Sequence, residues 1–437
     1  MAIVSVGIAI LILVLLVTWA KLNPFLAFLI TSIIAAIMLD VPLETIPKTL
    51  EQGIGGLLGS LAVIICLGAM FGKLISESGA AQRISTSLMN LFGDKYITWA
   101  LMLTGFIVGI PLFYNVGFVL LVPLVFSVVY QTKLPAVYLG IPLLAALSVT
   151  HGFLPPHPSP TALVPQFGAD LGLTLIYGLI VAIPTMALAG PIFANTLKNI
   201  KSEPLETFKP KDMDTADLPS AFNSFATSLL PVVLIAATTA LPYIADEGQG
   251  NSPFIQFIGN PMVVMILALA IATYTLGLGR GMNISKIMDS YSDAIKDIAV
   301  ILLIIAGAGA LKQVFVVSGV SADIGDALQS LDMNPLILGW LIATIIRICL
   351  GSATVAGLTA AGIVAPLVLT TDVNPNLMVL AIGAGSLMCS HVNDSGFWMY
   401  KGYFNLSLKD TFRSWSLMET IVGVVGIISV LILDQFV

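Results

Sequence analysis

Long apolar runs separated by short polar breaks fill the chain from end to end. Runs of roughly 16 to 24 residues, such as Ile3 to Trp19 and Met262 to Leu278, have the length of a transmembrane helix and lack the alternation of barrel strands. They predict spans near 2–20, 23–39, 53–76, 136–150 and 171–195, then 222–245, 260–279, 296–317, 376–390 and 412–435. Each set holds one further apolar pair, 97–130 and 336–370, interrupted by Pro111 to Gly117 and by Gly351 to Gly357. We read these pairs as re-entrant helical hairpins. The fourth span of each set runs into a break: Ser148-Val149-Thr150-His151-Gly152-Phe153-Leu154-Pro155-Pro156-His157-Pro158 in the first and Cys389-Ser390-His391-Val392-Asn393-Asp394-Ser395-Gly396 in the second. The predicted fold is an all-α polytopic membrane protein of two repeats. Each repeat has about five transmembrane helices, one of them broken, plus a hairpin.

The repeat is written in single residues. His151 and His391 stand 240 positions apart, as do Gly79 and Gly319, each after a Ser, and Pro135 and Pro375; Trp99 and Trp340 are 241 apart. A common offset points to duplication. The boundaries are then 1–195 and 222–437, joined by a solvated 196–221 linker that carries Pro204, Pro210, Pro219 and mixed charge. Five crossings plus a hairpin that enters and leaves on one side give the two units opposite orientations. The basic residues follow that map: Lys21, Lys133, Lys198, Lys201, Arg280, Lys401, Lys409 and Arg413 fall on one side, whereas Lys48 and Lys312 fall on or near the other. The positive-inside rule places the linker in the cytoplasm and both termini outside. Counting the hairpins as ordinary spanning pairs leaves loop parity unchanged, so charge fixes orientation and not re-entrancy.

Composition excludes a soluble domain. Of 437 residues, 57% are hydrophobic and only 10% charged, with a mean hydropathy of +1.01. The first apolar run lacks a basic flank and a small-residue cleavage site, so it reads as a retained span in a cytoplasmic (inner) membrane. Cys66, Cys349 and Cys389 sit singly in apolar segments without metal-ligand spacing and read as small core residues. A lipid bilayer is the expected surrounding, with no nucleic-acid partner, no metal and no bound cofactor.

The chemistry-bearing residues gather at the breaks. Half-helix N-termini at the hairpin tips present free N–H groups suited to a carboxylate, and Ser352 and Thr354 either add hydroxyl donors or cap the tip. Arg347, costly at membrane depth, either binds an anion through its planar fork or pairs with Asp394. Asp394 reads as a proton-exchanging acid or as a helix-capping carboxylate. His151, His157 and His391 are the only histidines and all lie at the two breaks, where imidazole can bind hydroxyls or exchange protons. Asn115 and Asn393 supply both donors and acceptors for hydroxyls or for helix ends. Lys73 and Lys312, near the ends of their spans, read as snorkelling anchors. Helices interrupted at matching points in two halves are the mark of a secondary transporter with a midplane site. The alternative of another class, an intramembrane enzyme built on His, Asp and Ser, lacks a His-Glu-x-x-His or Gly-x-Ser-x-Gly motif.

Several segments carry a resemblance over essentially the whole chain: Gln52-Gly53-Ile54-Gly55-Gly56, Gly68-Ala69-Met70-Phe71-Gly72-Lys73, Thr150 to Pro158, Gly351-Ser352-Ala353-Thr354-Val355-Ala356 and Ser390-His391-Val392-Asn393-Asp394. These resemble the gluconate permease family of proton symporters, within the ion transporter superfamily. The resemblance implies import of gluconate, idonate, fructuronate or a similar sugar acid by proton symport, with H+ as the coupling ion. D-serine or glycerate uptake is the alternative within the family, although His151, Arg347 and the 391–394 segment look more like the sugar-acid branch. It also implies a homodimer, with scaffold and transport domains each drawn from both repeats and alternating access between them. Other members often carry Glu at the position of Asn115, in an otherwise similar Phe-Tyr-Glu-Val-Gly tip; Asn mimics a protonated Glu but releases no proton.

Overall fold

A computed structural model describes residues 2–437 apart from 111–113, 156, 203–204, 206–212, 215–216, 245–251, 321–332 and 372. Pro111 in the first hairpin tip, Pro156 in the first break, and Pro204 and Pro210 in the linker thus lie outside the described residues. Among the described residues every regular element is helical. The first part of the chain gives α1 (Ala2–Thr18), α2 (Pro24–Met38), α3 (Ile46–Glu77), α4 (Ala80–Gly109), α5 (Tyr114–Thr132), α6 (Ala136–Phe153), α7 (Pro158–Phe167) and α8 (Leu171–Ala187). After the linker come α9 (Ala221–Ile244), α10 (Pro253–Gly259), α11 (Pro261–Ala272), α12 (Ile284–Val317), α13 (Pro335–Leu350), α14 (Ala353–Thr370), α15 (Pro375–Leu387), α16 (Ser395–Tyr403), α17 (Leu408–Thr411) and α18 (Leu417–Leu433). Turns of π-helix at Leu188–Ile192 and Thr273–Gly277 extend α8 and α11, and a third at Phe412–Ser416 joins α17 to α18.

Local sequence sets these boundaries. α2, α11, α13 and α15 all open on Asn-Pro, with the Asn side chain accepting a first-turn N–H and Pro at the position where a missing N–H costs nothing. α3 and α12 end on the same turn. Ser78 and Ser318 bond back to Ile75 O and Phe315 O at 3.2 and 3.0 Å, and Gly79 and Gly319 follow at φ 80° and 72°, a left-handed conformation that favours glycine. The same backbone solution thus recurs 240 positions apart.

Burial separates two kinds of helix. α8 shows Ile176, Ile180 and Ile183 on its surface, and α18 shows Val424, Ile428 and Ile432, apolar stripes suited to lipid. By contrast, nearly every residue of α6 and of α15 is buried, although both are apolar all round. A helix of that kind belongs in the core of a bundle. α6 packs on α4 in the first half and α15 on α13 in the second, and the two broken helices cross at glycines: a Cβ on Gly383 would run into the Gly152 carbonyl. The interruptions of both repeats are thereby brought together at the centre. Six helical stretches among the described residues, including Leu43–Glu77, Leu171–Leu197 and Ile284–Val317, are long and apolar enough to cross a membrane.

Several elements differ from the sequence expectation. The polar stretch before the first hairpin is helical: α4 starts at Ala80 and runs through a break at Gly93, where φ is 64° and ψ 173°. Its polar and charged residues interrupt the apolar run without interrupting the helix. Each break is followed by a short helix, α7 or α16, seeded by Pro158 and by Asp394, whose carboxylate accepts the Gly396 N–H at 2.9 Å. The third span begins at Ile46, not 53, because Pro47 occupies its first turn.

Candidate functional site

Each break is stitched to the end of its own hairpin's first arm. In the second repeat α13 ends at Gly351, in the left-handed region at φ 69°, and leaves carbonyls at its last turn unpaired within the helix. Asn393 Nδ2 donates to Ile348 O at 2.7 Å and to Cys349 O at 3.0 Å, and His391 Nε2 donates to Ile348 O at 3.0 Å. In the first repeat His157 Nε2 donates to Gly109 O at 2.8 Å. Gly109 and Cys349 are again 240 apart. Because a carbonyl only accepts, neutral His157 carries its proton on Nε2; its Nδ1 then accepts from Nδ1 of His151 at 3.3 Å. The histidine pair therefore holds one defined arrangement of protons.

Arg347 lies in the last turn of α13 at 3% exposure, and its Nη2 donates to Asp394 Oδ2 at 2.5 Å. Asp394 Oδ2 also takes the Ser390 hydroxyl, which in turn accepts Trp415 Nε1 at 2.7 Å. The ion pair weighed from sequence is thus present, yet it uses only one edge of the guanidinium: Nε and Nη1 are buried and have no hydrogen-bond partner among the described residues. Two donors of a buried cation left unpaired are costly, and such groups mark where a polar ligand binds.

These residues surround a cavity of about 170 Å³, smaller than the pockets that hold drug-sized molecules and suited to a compact solute. Asn115, His151, Arg347, Ser352, Thr354, Asn393 and Asp394 line it, drawn from both hairpins and both breaks. The N-terminal turns of α5 and α14, the second arms of the two hairpins, converge on it and direct the positive ends of their dipoles there. Ser352 caps α14, accepting the Val355 N–H at 3.5 Å. His157 and His391 do not line the cavity; they stand behind it, bonded to backbone carbonyls.

Sequence reasoning missed several polar contributors, among them Tyr114, Ser148, Lys312 and Glu419. Lys312, read as an anchor, instead meets the cavity from α12, whereas Lys73 pairs with Glu77 at 3.7 Å. Glu419 is 2% exposed in the first turn of α18, within the continuous 408–433 helical span, and accepts the Ser148 hydroxyl at 2.5 Å. A lone acid inside an apolar span was the available signal. Among the described residues, no group of three or more His, Cys, Asp or Glu side chains is arranged to hold a metal ion.

The family model for GntP family permeases matches residues 1–437. The chain belongs to that family. It is 47% identical over 436 residues to the high-affinity gluconate transporter of Escherichia coli (strain K12), with both chains fully covered. It is 45% identical to the gluconate permease of Bacillus subtilis (strain 168), covering 99% of each chain, and 44% identical to the Gnt-II system L-idonate transporter of Escherichia coli (strain K12), covering 99% and 98%. A GntP family permease is a membrane transporter and not an enzyme, so the central cavity is read as a binding site and not as a catalytic one.

Proposed function

We propose that the protein imports gluconate or a closely related sugar acid across the bacterial inner membrane by proton symport. The observation that carries this reading is the pair of unpartnered N–H donors on buried Arg347, beside two converging helix N-termini, in a cavity sized for a small solute. The substrate carboxylate takes Arg347 Nε and Nη1 together with Ser352, Thr354 and the α14 amides. Asn115, His151, Asn393 and Asp394 bind the hydroxyls; the Asn393 Oδ1 acceptor and the Tyr114 hydroxyl are both without partners among the described residues and add to that capacity. His151, Asp394 and Glu419 are the candidates on the cavity wall for the proton-exchanging group, and His157 and His391 hold the two breaks in register behind them. The names of the relatives support a sugar acid over D-serine or glycerate.

In this reading the two repeats, 1–195 and 222–437, are inverted with respect to each other and joined by a cytoplasmic linker, with both termini outside. Scaffold and transport domains are drawn from both, the protein is a homodimer, and movement of the hairpins and broken helices exposes the cavity to each side in turn. A binding screen of purified protein tests it: gluconate, idonate and fructuronate bind, and glycerate and D-serine bind at least tenfold more weakly. Preferential binding of D-serine contradicts it.

A further inference from the structure

Glu419 stands apart from the other acids among the described residues. It lies in the first turn of α18, buried, with Oε1 accepting the Ser148 hydroxyl and Oε2 without a partner among the described residues. Among the described residues no cation forms an ion pair with it. Asp394, the other acid on the wall, is fully engaged: Oδ2 takes Arg347 and Ser390, and Oδ1 takes the Gly396 N–H. Glu419 Oε2 is therefore the open carboxylate oxygen at the cavity.

The remaining titratable groups on the wall come from the helices around it: Tyr114 from α5, His151 from α6, Lys312 from α12 and Arg347 from α13. α15 and α8, which pack on α18, place no titratable side chain there. Cys389, after α15, hydrogen-bonds Thr420, and Arg413, before α18, is exposed and pairs with Asp410. With the histidine pair neutral, the fixed charges are Lys312 and Arg347 against Asp394, and the charge on Glu419 decides the sum.

We propose that Glu419 is the proton-binding carboxyl that licenses anion binding, with one proton for one sugar-acid anion. Protonated on Oε2, it leaves the wall one net positive charge, which a single carboxylate neutralises. Ionised, it makes the wall neutral, and an anion then adds an unbalanced charge in a buried site. The proton is taken from water on the outer face and passes to water on the inner face once the anion has left. Asn115 across the cavity holds no proton to give, so coupling rests on the α18 acid. This assignment depends on the sugar-acid symport reading above.

The test uses the full-length protein in proteoliposomes with labelled gluconate. Wild type accumulates gluconate roughly tenfold for each unit of imposed pH gradient, alkaline inside. Glu419→Gln, a fixed mimic of the protonated form, exchanges gluconate across the membrane but does not accumulate it under that gradient. Accumulation by Glu419→Gln equal to wild type overturns the assignment, as does loss of exchange in a monodisperse Glu419→Gln protein. A second measurement needs no variant: the wild-type Kd for gluconate weakens about tenfold per pH unit on the alkaline limb, one proton per anion, and a Kd flat from pH 5.5 to 8.5 overturns the assignment. Wild type that neither binds nor exchanges gluconate overturns the transport reading itself, and the assignment falls with it.

Discussion

Replacing Arg347 with Met separates what the guanidinium does for the fold from what it does for the ligand. Arg347 makes one charge-assisted bond to Asp394 at 2.5 Å, and its Nε and Nη1 have no partner among the described residues. If both free donors bind the substrate carboxylate at about 1.5 kcal/mol each, the substitution costs about 3 kcal/mol of binding, and gluconate Kd rises by roughly a hundredfold. Stability falls for a different reason. Removing one partner of a buried ion pair costs about 3–5 kcal/mol, and the lower end applies here because Asp394 keeps the Ser390 hydroxyl and the Gly396 N–H. Pairing Arg347→Met with Asp394→Asn removes the stranded charge, so the double variant regains thermal stability in detergent while its affinity stays low. Titration calorimetry with gluconate and a fluorescence melting curve read the two effects separately. Arg347→Met binding gluconate within threefold of wild type refutes the reasoning, and so does recovery of affinity in the double variant.

Other substitutions probe the supports of the site. Gly351→Ala forces a Cβ into the left-handed region and against Asn393, a strain of at least about 1 kcal/mol; transport is expected to fall severalfold in a folded protein, and unchanged uptake contradicts the tip geometry. His157→Phe leaves the buried Gly109 carbonyl without its donor, at about 1–3 kcal/mol, and releases His151; His157→Gln, which keeps an N–H, recovers part of the lost melting temperature, and equal melting temperatures for the two contradict the role assigned to that bond. Asn115→Glu adds a third acid to the wall, and beside Glu419 a second one outside the Arg347 ion pair, so the pH dependence of gluconate Kd steepens from one proton per anion toward two; a slope that stays at one refutes the charge balance.

The sequence was most informative where helices break. A run that stops at His151 and another at His391, with hairpins interrupted near Asn115 and Ser352, names four segments that meet at the cavity. The offset of 240 anticipated the paired turns at Gly79 and Gly319, because a left-handed glycine after a serine is a local solution that duplication preserves. Glu419 was hidden for the opposite reason: it interrupts nothing, and its neighbours Met418 and Val422 are as buried and apolar as those of any other span. Lys312 was misplaced because position near a span end says nothing about which face of α12 meets the cavity. The start of α4 escaped because its polar residues break the apolar run without breaking the helix.

Thr354, at the N-terminal turn of α14 on the cavity wall, offers the most direct test of one cavity served by two sides. In a background with Cys66, Cys349 and Cys389 replaced by alanine, Thr354→Cys is labelled with a membrane-impermeant thiol reagent applied to oriented vesicles from either face, with and without gluconate. The account predicts labelling from both faces, suppressed on both by gluconate. Labelling from one face only, or labelling that gluconate leaves untouched, contradicts it.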